Sequence, residues 1–148
     1  MPLPKPEFPN YDPAIGDALA KAGGSGGGLP DYLGIRTVEV GPGRMTCVMP
    51  VRDELLNPFG SLHGGAISAL TDHVLGAVLY GVIERGAWAA TTEFKLNLMA
   101  PVRSGEVTAE AEIVSMTKRT AVVRVDITNL GRAAGAGQGT VLIMPPRA

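Results

Sequence analysis

The chain has one cysteine and two histidines in 148 residues, few aromatics, and no excess of either charge. A lone Cys47 makes no internal disulfide, and within Met45-Thr46-Cys47-Val48-Met49 it reads as a small core residue. That usage suits a reducing compartment. Met1-Pro2-Leu3-Pro4-Lys5-Pro6 also lacks the apolar stretch of a secretory signal, so a cytoplasmic location is the expectation. Thirteen basic residues against fourteen acidic ones, a net charge of −1, leave no electrostatic footprint for nucleic acid or an anionic membrane. Neither partner is expected. Scattered carboxylates, two histidines and a distant cysteine provide no zinc or iron spacing, so no metal is expected. Cofactor motifs are missing too. Gly23 to Gly28 is not followed by the Gly-Lys-Ser/Thr of a phosphate loop. Gly60-Ser61-Leu62-His63-Gly64 has glycines but no central serine, which excludes a nucleophile elbow.

What is present is apolar content, 45% of residues, enough to bury the core of one domain. Prolines argue against regular structure from Met1 to Pro13, and Pro13 to Ala22 can form a short helix with Ile15 and Leu19 four apart. Gly23-Gly24-Ser25-Gly26-Gly27-Gly28 reads as a flexible connector, which makes residues 1–28 an extension and 29–148 the folded domain. Two strands follow, Leu33 to Val40 and Arg44 to Pro50, joined by Gly41-Pro42-Gly43. Gly64 to Glu84 reads as one long helix, apolar almost all the way round. Asp72 and His73 in its middle, with Gly76 and Gly81, argue against a membrane span. Beyond it the period becomes two. Thr92, Phe94, Leu96 and Leu98 form one face of a strand; Val107, Ala109, Ala111 and Ile113 form the next. Ala121, Val123, Val125 and Ile127 form a third, and Asn129-Leu130-Gly131 turns it into a last strand near Ala134 to Met144. Short connections favour antiparallel neighbours. The expected architecture is α+β, one curved antiparallel sheet packed on one hydrophobic helix.

The most informative stretch runs from Asn57-Pro58-Phe59-Gly60-Ser61-Leu62-His63-Gly64-Gly65 to Asp72. Glycines at a helix start leave backbone N–H groups accessible to an oxygen that becomes negative during reaction. A carboxylate on an apolar helix is costly without a partner or a task. Each residue also has a bland explanation: a tight bend for Gly64 and Gly65, an Asx turn for Asn57, a satisfied hydroxyl for Asp72. His63 reads as a hydrogen-bond partner for backbone around the helix start, and His73 as structural, since adjacent helical side chains diverge by about 100°.

Asn57, His63-Gly64-Gly65 and Asp72, at this spacing, resemble the hotdog-fold acyl-CoA thioesterases of the phenylacetate-pathway (PaaI-like) group, over roughly Leu33 to Met144. The resemblance implies a sheet wrapped round the helix, two protomers joined into a continuous sheet, and active sites at their interface. It implies that Gly64 and Gly65 form an oxyanion site, that Asn57 orients the thioester or the water, and that Asp72 is general base or nucleophile. Thr91 falls where relatives place a helper serine or threonine. The helix geometry points to the same assembly. Gly64 and Asp72 are eight residues apart, or roughly 12 Å along one helix, whereas reacting groups must lie about 3 to 3.5 Å apart. The carboxylate serving the carbonyl at Gly64 should therefore come from a second, oppositely running helix, as a homodimer supplies. The resemblance further implies a dimer of dimers, a homotetramer. Pro58, Phe59, Leu62 and Met99 are candidate linings of an apolar acyl pocket, and Arg103, Lys118 and Arg119 are candidate contacts for the CoA phosphates. A catalytically silent acyl-CoA-binding or assembly module is the alternative, and it would have no need of Asp72.

Overall fold

The computed structural model describes residues 4–22 and 26–148; Met1 to Leu3 and the Gly23-Gly24-Ser25 part of the expected connector lie outside them. The elements are α1 (Pro13–Ala22), α2 (Gly28–Leu33), β1 (Arg36–Gly41), β2 (Arg44–Pro50), α3 (Gly64–Ala77), β3 (Trp88–Leu98), β4 (Glu106–Met116), β5 (Thr120–Asn129) and β6 (Arg132–Met144). The six strands form one antiparallel sheet in the order β1-β2-β4-β5-β6-β3, so β1 and β3 are its edges. Hairpins join β1 to β2, β4 to β5 and β5 to β6. The last turns through Leu130 and Gly131, both at positive φ, the conformation a two-residue hairpin loop with right-handed strand twist requires.

The alternation in the sequence maps onto two faces. Val107, Ala109, Ala111 and Ile113 of β4, with Ala121, Val123, Val125 and Ile127 of β5, are buried beneath α3. Their neighbours Glu110, Arg124 and Asp126 face away and are exposed. α3 turns Ala66, Ile67, Leu70, Thr71, Val74 and Leu75 into this core. Its opposite side carries Gly65, Ser68, Ala69, Asp72, His73 and Gly76, half-buried or exposed. That side meets β3 at Gly64, by Leu98, and at Gly76, by Ala89, and is otherwise open, short of the expected all-round burial.

Three boundaries differ from the sequence reading. The strand expected from Leu33 begins at Arg36, because Gly28–Leu33 closes into a helical turn: Asp31 accepts from the Gly27 N–H at 2.9 Å, and Gly34, at φ 72, ends it. α3 ends at Ala77 rather than Glu84. Beyond it Leu79 and Tyr80 bond back only three residues, and Gly81 turns at φ 100. Val78 and Leu79 stay buried through this turn, so hydrophobicity continued where the helix did not. β3 starts at Trp88, and a bulge between Thr91 and Glu93 shifts its register, pairing Thr91 with Val141 and Glu93 with Thr140. Thr91 thus joins Phe94, Leu96 and Leu98 on the face toward α3. Thr92 is exposed and donates to the Thr140 carbonyl at 3.1 Å.

Residues before α2 pack on this framework. Phe8 lies against Gly43 at the β1–β2 turn, and Gly16 of α1 against Val40. The Asp12 N–H donates to the Gly81 carbonyl at 2.8 Å, and its carboxylate accepts from Arg85 at 2.7 Å.

Candidate active site

The loop before α3 is held by its own polar groups. Asn57 Oδ1 accepts from the N–H groups of Phe59 and Ser61, at 2.9 and 3.1 Å, and the Asn57 N–H donates to the Ser61 carbonyl at 2.7 Å. This is the Asx-type geometry that lets the chain reverse after Pro58. The Leu62 N–H donates to the Val102 carbonyl and the His63 N–H to the Leu55 carbonyl, which ties the helix start to both flanking segments.

His63 is the N-cap of α3. Its Nδ1 accepts from the Gly65 N–H at 2.8 Å, and its carbonyl accepts from Ala66 and Ile67. Of the first four N–H groups of the helix, only that of Gly64 has no acceptor among the described residues. A helix start normally leaves four such groups to be satisfied. Here three are consumed by one residue, and the remaining donor lies at the positive end of the helix dipole. The Gly65 N–H, expected to be open beside it, is taken up by His63. An acceptor at Nδ1 leaves the neutral ring's proton on Nε2.

Asp72 is exposed in the protomer rather than buried as its apolar surroundings in the sequence suggested, and no hydrogen bond or ion pair holds its carboxylate among the described residues. Gly64, Ser68 and Asp72 are successive turns on the uncovered side of α3, with Ser68 Oγ donating to the Gly64 carbonyl at 2.8 Å. Burial pushes His73 below the ordinary imidazole value, opposed in part by the Asp72 charge.

α3 runs antiparallel to β3. A Cβ on Gly76 would meet Ala89 at 3.8 Å, and one on Gly64 would meet Leu98 at 2.7 Å. Asp72 and Thr91 each lie roughly 6 Å from the Gly76–Ala89 contact along their own elements, so they are level with one another. Thr91 was recognisable in the sequence; Ser68 and Leu98 were not singled out. Ser68 was detectable from its spacing, four residues from both Gly64 and Asp72. Leu98 had no local signal, because its place depends on how β3 crosses α3.

The candidate substrate contacts divide. Pro58, Phe59 and Met99 are exposed, Phe59 by 85% and Met99 by 54%, around the start of α3. Leu62, only 4% exposed, belongs to the core and lines no open surface; its backbone bond to Val102 draws it inward. Arg103 donates to the Phe59 carbonyl at 3.4 Å, beside the motif loop. Lys118 and Arg119 sit on the β4–β5 turn, the other end of β4 from Arg103, roughly 35 Å away at strand rise. One protomer cannot bring these cations to one ligand phosphate group. Apolar grooves of about 500 and 330 Å³ flank the turn after α3, and neither includes Gly64 or Asp72. No cluster of potential metal ligands occurs among the described residues.

Residues 59–136, more than half of the chain, match the family model of the thioesterase superfamily. Human acyl-coenzyme A thioesterase 13 is 32% identical over 106 residues, covering 71% of this chain and 75% of its own. The 1,4-dihydroxy-2-naphthoyl-CoA hydrolase of Listeria monocytogenes is 32% identical over 102 residues, 69% of this chain and 83% of its own. Among solved structures, the PaaI protein from the phenylacetic acid degradation operon of Escherichia coli superposes with a TM-score of 0.80 at 21% identity, covering 90% of this chain and 96% of its own. With its six-stranded antiparallel sheet, its single central helix and its His63-Gly64-Gly65 helix start, the chain belongs to the hotdog-fold thioesterase superfamily and is a thioester hydrolase.

Proposed function

We propose that the protein hydrolyses acyl-CoA thioesters to a carboxylic acid and CoA, at a site composed of Gly64 from one protomer and Asp72 from another. The observation that carries this reading is the uncovered side of α3. It holds one unsatisfied N–H and one unpaired carboxylate, separated along the axis by roughly 12 Å, too far to serve one carbonyl. A two-fold axis that sets a second α3 antiparallel brings each Gly64 opposite the partner's Asp72. Edge strand β3, eleven residues long and unpaired on one side, is the natural seam for that pairing. Human acyl-coenzyme A thioesterase 13 and the Listeria hydrolase, both named for CoA thioesters, support the substrate class.

The carbonyl oxygen accepts from the Gly64 N–H, with His63 Nε2–H as a second donor at the same helix end. As the nucleophile adds, negative charge develops on that oxygen, and the helix dipole and both donors stabilise it; loss of one such donor typically costs about 3 kcal/mol. Asp72 either takes the proton of an attacking water or attacks directly, giving a mixed anhydride that water then opens. Collapse of the adduct breaks the carbon–sulfur bond and expels CoA thiolate, a good leaving group that needs no strong general acid. Asn57, with Oδ1 engaged in the loop, keeps Nδ2 to orient the thioester or the water, and Thr91 is the hydroxyl level with the carboxylate. Arg103, beside the motif loop, is then the protomer's own cation for a CoA phosphate, and Lys118 and Arg119, at the far end of β4, would reach that phosphate only from the partner subunit. Thiol release from a panel of acyl-CoAs tests the reading: the wild type turns over, and Asp72→Asn does not. A panel with no turnover by the wild-type protein refutes it.

A further inference from the structure

Leu98 ends β3 on the face turned toward α3 and is 55% exposed, unusual for a leucine whose strand neighbours on that face are half-buried. Its position is set by two glycines. Gly64 lies directly beneath it, so close that a Cβ there would stand 2.7 Å from Leu98 Cδ1. Its register partner on β6 is Gly135, which brings no side chain beside it. The leucine methyls therefore stand over the residue whose N–H is the one open donor of the helix start.

A carbonyl oxygen bonded to that N–H sits about 2.9 Å from the nitrogen, and its carbon about 1.2 Å further on. The groups attached to that carbon then fall within van der Waals reach of Leu98. A flexible methylene slips past a leucine side chain; a ring or branch attached directly to the carbonyl is wide at that point and collides with it.

We infer that Leu98 is a specificity-determining residue, selecting acyl-CoAs whose carbon next to the carbonyl is an unbranched methylene, and rejecting aroyl-CoAs with a ring on the carbonyl. The inference rests on the acyl-CoA reading above and names the acyl class that reading leaves open. Phenylacetyl and linear fatty acyl groups fall in the accepted class and benzoyl in the rejected one, which sets this chain apart from the Listeria hydrolase, named for a naphthoyl-CoA.

The test compares kcat/KM for hexanoyl-CoA and benzoyl-CoA in the wild type, Leu98→Ala and Leu98→Phe, with sedimentation to confirm unchanged assembly. Wild type should prefer hexanoyl-CoA. Leu98→Ala should lower the hexanoyl-to-benzoyl ratio at least tenfold, mainly by raising benzoyl-CoA turnover, and Leu98→Phe should lower hexanoyl-CoA turnover as well. A ratio within twofold of wild type in Leu98→Ala, or equal loss of both activities, overturns the assignment. Failure of the hydrolysis reading is separable. If wild type cleaves neither thioester, the 2-oxoheptyl and phenacyl thioethers of CoA serve as uncleavable probes, and the same tenfold change is expected in the ratio of their Kd values.

Discussion

His63 caps the start of α3 and Asp72 stands mid-helix, and they make different demands on it. The Asp72 carboxylate is exposed and engages no described partner, so the protomer loses little when it is neutralised. Asp72→Asn is therefore expected to leave folding and assembly intact while turnover falls by about 10² to 10⁴. Thiol release, read beside circular dichroism and sedimentation, checks it; unchanged turnover in a folded assembly would remove Asp72 from the chemistry. His63 is a cap. His63→Ala leaves the Gly65 N–H without its acceptor and should destabilise the fold by about 1 kcal/mol, whereas His63→Asn, which can cap, should recover most of that loss in urea titrations.

At the scale of the elements, the contact of α3 with the sheet decides what each substitution costs. Gly139 of β6 faces α3: a Cβ there would sit 2.6 Å from the Glu93 carbonyl and 2.7 Å from Phe94 Cβ. Gly139→Ala should lower stability by about 1 to 3 kcal/mol, measured as a shift in the urea midpoint. His73, half-buried on the side of α3 turned away from that core, links stability to pH. Burial lowers its pKa in the folded state below the ordinary imidazole value of about 6.5, so the unfolded chain takes up the proton first as pH falls. The contribution is fully present above about pH 6.5 and is lost as pH drops through the lower folded value. His73→Gln, which does not titrate, should flatten the stability profile as pH falls below about 6.5. An unaltered slope would show that other groups govern it.

The whole molecule presents an exposed carboxylate, an open N–H, apolar residues Phe59, Leu98 and Met99, and a long free strand edge around one side of α3. A second copy is the economical cover for that side. Co-expressing Asp72→Asn with Gly65→Val should restore part of the activity, because a mixed dimer retains one site with an intact Gly65 and an intact Asp72. Gly65→Val suits this purpose since a Cβ there would lie 2.9 Å from His63 Nδ1 and break the cap. Isolated heterodimers without activity would mean that each site belongs to one chain.

Sequence pattern alone determined the strands β4 and β5, whose alternating Val, Ala and Ile residues are legible because a half-buried strand has a period of two wherever it lies, and the Asn129-Leu130-Gly131 turn announced β6 after them. It also determined the helix start at Gly64 and the place of Asp72 eight residues on, since both depend on local backbone chemistry and helix rise. Tertiary structure decided what local patterns cannot carry. The end of α3 at Ala77 was hidden because the turn after it is just as buried, and apolar composition reports burial rather than backbone shape. Thr91 faces the helix because a bulge shifts β3 by one residue against β6 and pairs it with Val141, a relation between segments more than forty residues apart. Leu62 entered the core, and Asp72 stayed exposed, for one reason. Burial is settled by which side of α3 the sheet happens to cover, and a single helix gives no account of what lies against its other face.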